Sequence, residues 1–292
     1  MEDLVSIVIP TYNRADLVEE AILSSVKQTY PNKEILVVDD GSTDNTKEVC
    51  KKYVSSGQIR YIYKPNGGTA SALNRGIAEM KGSWFKWLSS DDVLLPSAVE
   101  ELLRFATVNN AKFVYSDFVI IDLEGNKIGE FIESTYATYL DFAASLWQYH
   151  IGHGSSSLIH KSVFEQTGIF DTKLRSREDY DFWLRACIVH GIMFYRCPQI
   201  LLRYRVHPTQ ITSQISTEAL RNDMKTRNRI KRQYIEMHGK ENWNQLMIEF
   251  RKRGHVRPLW RRMARRLLAL MPKGASDSIA NRYKKIDKKK AR

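Results

Sequence analysis

Residues 4–9 (LVSIVI) are apolar but for Ser6 and stop at Pro10 and the polar stretch 11–14. Such a run predicts a strand covered on both faces, since a strand with one wet face would alternate apolar and polar. Leu17, Ala21, Ile22 and Val26 then recur at helical spacing, predicting a helix over 15–27. The alternation continues. Strands are expected at 35–38, 59–63 and 84–88, helices at 44–54 and 69–80, and a further helix opening at Pro96. Through residues 1–110 this order predicts a Rossmann-like α/β sheet, mostly parallel, with right-handed helical crossovers.

From residue 113 the texture changes. Phe113 to Ile121, a turn at Gly125 and Lys127 to Ile132 predict a hairpin. A helix is expected over 138–148 and a short strand over 156–160. Residues 178–190 predict a helix with Tyr180, Trp183, Leu184 and Cys187 on one side, and 192–206 one or two strands.

Carboxylates gather where strands end, at Asp39-Asp40 and Asp91-Asp92. In open α/β sheets ligands sit beyond the carboxyl ends of the strands, so the two pairs are predicted to face one cleft. Asp91 and Asp92 suit a hard divalent cation that also keeps phosphate oxygens in its shell. A carboxylate at 39–40 can accept the N–H of a nucleobase. Glu178-Asp179 can supply a general base that deprotonates an attacking hydroxyl. His207 can meet a metal or a leaving diphosphate. Each signal taken singly has a plain structural alternative. Acidic residues before or within a first helical turn complement the helix dipole. Asp, Ser and Thr after a strand close turns and cap helices, and a lone histidine is more often a surface or core residue.

Order and spacing weigh more. The blocks VSIVIPTYNR (5–14), ILVVDDGSTD (35–44), NGGTASALNRGI (66–77), WLSSDD (87–92), GSSSLIHKSVFEQTGIFD (154–171), REDYDFWLR (177–185) and RYRVHPTQIT (203–212) follow one another in the chain. Over residues 4 to about 212 the sequence resembles the inverting family 2 glycosyltransferases of the GT-A fold, of the kind found in bacterial polysaccharide and glycan biosynthesis. The resemblance implies a catalytic domain over 1–215, with a nucleotide-sugar half (1–110) and an acceptor half (111–215). It implies transfer from a nucleotide-diphosphate sugar, UDP favoured, to a hydroxyl of a glycan or lipid-linked acceptor, with Mn²⁺ or Mg²⁺. Thr11, Tyr12 and Asp40 are then expected at the nucleobase. Asp91 is expected at the ribose and Asp92 at the metal with His207. Asp179 is expected as the catalytic base with Glu178 beside it, and Asn74 and Arg75 along the donor. His153, in the segment GHGSSS, is expected at the acceptor, against the alternative of a Gly/Ser loop. Many members carry a further acid where this chain has Ser89, which leaves open which of Asp91 and Asp92 holds the metal.

Composition refines this. Hydrophobic residues make up 43% of the 292, enough for a core. Cys50, Cys187 and Cys197 show no paired spacing, so neither a zinc site nor a disulfide framework is expected. The first residues lack a basic start followed by an apolar leader, and no apolar run is long enough to span a bilayer. The net charge of +12 is unevenly placed. Residues 216–292 hold 23 Lys and Arg against 7 Asp and Glu, while residues 1–215 hold 22 against 26. A basic helical extension is therefore expected over 216–292. Within it Trp260, Met263, Ala264, Leu267 and Met271 share one helical face, opposite Arg261, Arg262, Arg265 and Arg266. This pattern predicts peripheral contact, through 258–292, with an anionic membrane surface at the cytoplasmic inner face. Packing on the body is the close alternative, and nucleic acid comes third because no recognition motif accompanies the charge. Two other function classes fit the sequence less well. A nucleotidyltransferase would carry a basic glycine-rich loop where this chain has PTYNR. A non-catalytic scaffold, or a nucleic-acid-binding protein acting through the tail, would not need carboxylates at 40, 91, 92 and 179.

Overall fold

Four strands, β1 (Val5–Thr11), β2 (Lys33–Asp39), β3 (Arg60–Tyr63) and β4 (Trp84–Trp87), run parallel in the order β3-β2-β1-β4. They are linked by α1 (Val18–Val26), α2 (Thr46–Ser55) and α3 (Thr69–Glu79). The computed structural model describes residues 3–149, 151–207, 210 and 217–253. Every residue of β1 is buried. Successive side chains of a strand point to opposite faces. Val5, Ile7 and Ile9 therefore join Ile35 and Val37 in one core, while Val8 joins Leu36 and Val38 in the other. Helices α1 and α2 cover the first core and α3 the second. Cover on both sides is why the start of the first strand reads as apolar sequence interrupted only by a small serine.

The second half extends the same sheet. Its elements are β5 (Val93–Leu94), α4 (Ala98–Val108), β6 (Phe113–Ile121), β7 (Lys127–Phe131), α5 (Tyr139–Gln148), β8 (Ser157–His160), α6 (Lys161–Thr167), α7 (Glu178–Leu184) and β9 (Tyr195–Arg205). Strand β8 lies antiparallel between β4 and β6. Strand β9 runs parallel to β6 and takes β5 on its other side. The sheet order is β3-β2-β1-β4-β8-β6-β9-β5, with β7 on β6 as the expected hairpin. One continuous sheet thus joins the two halves and carries the ends of β4 and β9 into one region.

The helix expected over 178–190 changes character. After Leu184 the chain widens into a π-type turn over Arg185–Val189, in which Ala186, Cys187, Ile188 and Val189 are all buried. Four consecutive buried residues do not fit one stripe of a regular α-helix, and the wider turn accommodates them.

Two further helices, α8 (Thr217–His238) and α9 (Lys240–Lys252), pack on the body. Ile230, Trp243 and Phe250 are buried in the same core as Trp183 and Phe194. Trp243 meets Trp147 edge-on at 5.4 Å. No helix among the described residues is long and apolar enough to cross a membrane. The amphipathic segment expected at 258–272 lies outside the described residues.

Candidate functional site

The first edge of the site is built where β1 and β2 end. Thr11 pairs in register with Asp39, and the Asp40 N–H donates to the Thr11 carbonyl at 2.8 Å. Asp39 is a turn residue. It accepts from the Ser42 N–H at 2.7 Å and from the Tyr61 hydroxyl. Asp40 reaches further. Its carboxylate accepts the N–H of Gly67 at 3.0 Å and of Gly68 at 2.7 Å, and pairs with Lys64. It thereby ties the end of β2 to the start of α3 and satisfies amides that a helix start leaves open. Tyr12 stands 46% exposed beside buried Thr11. Asn13 follows with φ +50, a conformation unusual for a residue with a side chain. It is held by Ser42 and Thr43, whose hydroxyl and N–H bond its backbone and side chain at 2.9 and 2.8 Å.

The second edge lies where β4 and β9 end. Asp91 Oδ2 and His207 Nε2 stand 3.0 Å apart, although 116 residues separate them in sequence. The neighbouring Asp92 is used differently. Its Oδ1 accepts the Arg205 N–H at 3.0 Å, and the residue has no exposed surface. Burial, and then the charge of Asp91, push its carboxyl well above the usual carboxylate range. Arg205 is itself buried. It donates from Nε to the Asp91 carbonyl at 2.9 Å and from Nη1 to the Leu123 carbonyl at 2.6 Å, and pairs with Glu20. Beneath the pair, fully buried Lys86 donates to the Trp87 carbonyl at 3.0 Å and to the Ser155 carbonyl. Burial pulls its ammonium down to about 7, against the pull of the Asp92 charge. Ser155 Oγ accepts the Ser89 N–H at 2.9 Å. Gly154 lies so close to Trp87 that a Cβ there would sit 2.5 Å from the indole ring.

Glu178 and Asp179 stand at the head of α7. Asp179 Oδ1 accepts the Tyr180 N–H at 2.7 Å. Burial, and then the Asp179 charge, push the Glu178 carboxyl up to about 7. The residue before them, Arg177, has φ +67, a second left-handed non-glycine residue at the site. The helix is held from behind. Arg229 of α8 bridges Asp171 and buried Asp181, and Arg227 Nη2 donates to the Tyr180 hydroxyl at 3.0 Å.

Other expected residues have more local work. Both amide atoms of Asn74 are engaged by the Phe170 backbone, at 2.8 and 3.0 Å. Arg75 pairs with Glu79 one turn along α3 at 2.8 Å. His153 Nδ1 accepts the Ser155 N–H at 3.2 Å, capping the turn 154–156, and its ring meets Tyr204 edge-on at 4.5 Å. It lies 3.9 Å from Asp92 Oδ2. Lys64, Lys86, Ser155 and Arg205 were not singled out in the sequence. Lys86 carried the one usable signal, a lysine inside the buried strand WFKWL.

Comparison with known proteins gives the family and the fold. The family described as Glycosyl transferase family 2 matches residues 6–168. An uncharacterized glycosyltransferase of Rickettsia prowazekii is 38% identical over 216 residues, 72% of this chain. The chain spans 66% of that relative's length. TuaG of Bacillus subtilis, described as a putative teichuronic acid biosynthesis glycosyltransferase, is 29% identical over 213 residues, 72% of this chain and 82% of its own. Among solved structures, S. aureus TarS 1-349 in complex with UDP-GlcNAc superposes with a TM-score of 0.67. It covers 85% of this chain and 72% of its own at 18% identity, and shares the GT-A fold.

Proposed function

This chain belongs to glycosyl transferase family 2, and on that premise we propose that it transfers a sugar, with inversion, from a nucleotide-diphosphate donor to a hydroxyl of a glycan or lipid-linked acceptor. The observation that carries the reading is the Asp91–His207 pair, brought together by one sheet from distant parts of the chain. UDP is the favoured nucleotide, supported by the UDP-GlcNAc held by TarS on the same fold. A growing polysaccharide is the favoured acceptor, supported by the description of TuaG.

The donor set fits Mn²⁺ or Mg²⁺. Such ions are held by one or two protein ligands, with diphosphate oxygens and water completing the shell. Asp91 and His207 would hold the ion, which supplies charge stabilisation to the diphosphate. Asp92 was the ligand expected from the resemblance. We assign the role to Asp91 instead, because Asp92 has no exposed surface and its Oδ1 accepts the Arg205 N–H, its Oδ2 lying buried without a hydrogen-bond partner 3.9 Å from His153 Nδ1. Asp92 then fixes the register of β9 and so the position of His207.

Asp179 acts as base. It takes the proton of the acceptor hydroxyl while that oxygen attacks the anomeric carbon. The bond from that carbon to the phosphate oxygen breaks on the opposite side, and the nucleoside diphosphate leaves with the electron pair. Glu178, uncharged below about pH 7, limits the negative charge at this point.

The test is a panel of UDP-, GDP- and dTDP-sugars offered with Mn²⁺, Mg²⁺ or EDTA. Wild-type protein is expected to bind one donor class in a metal-dependent way. Asp91→Asn loses the metal dependence. Asp179→Asn binds donor but turns over about 10²–10⁴-fold more slowly. No binding of any donor by folded protein would refute the transfer reading. Metal-dependent binding retained in Asp91→Asn but lost in folded Asp92→Asn would return the metal to Asp92.

A further inference from the structure

We propose that Arg229 of α8 is a positioning residue for the base: its one guanidinium grips Asp171 and Asp181 and so fixes the shape of the segment between them, which carries Glu178 and Asp179. The proposal rests on the transfer reading above, with Asp179 as base, and deepens it.

The segment 171–181 runs between two anchors. At its start Asn74 of α3 holds the Phe170 backbone with both amide atoms, and Asp171 closes a turn by accepting the Lys173 N–H at 3.0 Å. At its end Asp181 is fully buried in α7, and its N–H donates to the Arg177 carbonyl at 3.0 Å. Between the anchors Thr172, Lys173 and Arg175 are exposed, while Glu178 and Asp179 are half-buried. The base therefore stands on a stretch whose ends are fixed and whose middle faces water.

Arg229 reaches both anchors. Its Nη1 pairs with Asp171 and its Nη2 with Asp181. The nitrogens of a guanidinium are rigidly related, so the two carboxylates are fixed relative to each other as well as to α8. Other residues of α8 hold the same stretch. Asp223 faces Arg177 at 3.6 Å, and Arg227 Nη2 donates to the Tyr180 hydroxyl at 3.0 Å and to the Gln148 carbonyl at 3.3 Å. Asp223, Arg227 and Ile230 recur at helical spacing on one face, and fully buried Ile230 pins that face to the core. The held residues 177, 180 and 181 bracket Glu178 and Asp179.

Stability alone does not call for charge at this place. Asp181 lies among Tyr180, Phe182 and Trp183, all buried in one core. A buried ion pair adds little net stability over apolar side chains of similar volume, because desolvating the ions offsets their attraction. What the pair supplies is direction, since charge-assisted hydrogen bonds to a planar guanidinium form in few geometries. A general base needs that. Its carboxylate must reach the acceptor hydroxyl while that oxygen faces the anomeric carbon, and a misplacement of about 1 Å can cost 10²-fold in rate. Arg185, the other cation near Asp181, stands 3.6 Å away and is engaged by the carbonyls of Thr167 and Ile169.

The experiment compares the full chain with Arg229→Met, with Arg229→Lys, and with the double variant Arg229→Met/Asp181→Asn. The single methionine variant leaves Asp181 a buried charge with a poorer partner and should be destabilised. The double variant removes both charges, so its urea midpoint should return toward that of wild type. Three further readouts follow: calorimetric binding of UDP, GDP and dTDP with Mn²⁺, release of the diphosphate from the matching sugar donor, and hydrogen exchange by mass spectrometry. The double variant is expected to bind the preferred diphosphate as wild type does and to turn over about 10²-fold more slowly. Its amides over 171–180 should exchange faster, with those of β1 and β4 unchanged. Arg229→Lys keeps the charge without the two-pronged grip, and should fold and show a smaller loss of the same kind. Wild-type turnover in either the double variant or Arg229→Lys overturns the proposal, and so does unchanged exchange over the segment, since Arg229 would then serve stability alone. Wild-type protein that binds none of the diphosphates removes the transfer reading, and the assignment with it.

Discussion

Ending the chain at residue 215, the expected end of the catalytic domain, should leave a protein that does not fold stably. The reason lies in what α8 and α9 bury. Ile230 is fully buried, and Trp243 and Phe250 are 5% and 4% exposed, all within the core that also holds Trp183 and Phe194. At roughly 1.5–3 kcal/mol for each large apolar side chain, their removal costs about 5–9 kcal/mol, an upper figure because denatured chains already bury some surface. Charge adds to the loss. Asp181 would keep only Arg185, at 3.6 Å, once Arg229 is gone. A carboxylate left buried with a poorer partner is a strongly destabilising change. Since a domain of this kind is stable by about 5–15 kcal/mol, the deficit is comparable with the whole. The comparison is between chains ending at 215 and at 253, the latter retaining both helices, in urea with tryptophan fluorescence and near-ultraviolet circular dichroism. The 253-residue chain should unfold in one cooperative step. The 215-residue chain should show no native baseline, or a midpoint shifted far down. A cooperative transition within about 1 kcal/mol of the longer chain would refute the reasoning and restore 1–215 as an independent domain.

Glu178 should make stability depend on pH near neutrality. Its carboxyl is raised in the folded protein from 4.5 to about 7, so between those values the native state binds the proton more tightly than the unfolded chain. Its stabilising contribution is full below about pH 4.5 and is lost as pH rises through 7. Glu178→Gln should therefore be more stable than wild type at pH 8 and no more stable at pH 4.5, by urea midpoints at each pH. The same loss of stability with rising pH in wild type and Glu178→Gln would remove Glu178 from the titration. Full-length protein should sediment with anionic vesicles at low salt and the chain ending at 253 should not. Equal sedimentation of the two would separate membrane contact from residues 254–292.

What could be read from the sequence depended on how local its cause was. The runs at 4–9 and 35–38 announce buried parallel strands because cover on both faces is written into consecutive residues. β5, only Val93 and Leu94, is too short to show any period, and its pairing with β9 arises more than a hundred residues away. The acidic pairs were visible at the strand ends for the same local reason. Their division of labour was not, because neighbouring carboxylates look alike until Arg205 offers its N–H to one and His207 its ring to the other. Arg75 looked like the donor-side arginine because it follows Asn74 in a motif. Helical geometry sets Glu79 one turn along, and the pair forms. Asn74 has a contact that only the fold discloses: it anchors Phe170 and with it the loop that leads to Glu178 and Asp179. Helices α8 and α9 were read as a basic extension because charge dominates their composition. Three apolar side chains in the right register were enough to join them to the core, and these weigh more for stability than the exposed lysines and arginines that surround them. Motif spacing therefore marks the neighbourhood of a site well, whereas the role of each charged side chain in it is set by the partner that the fold brings near.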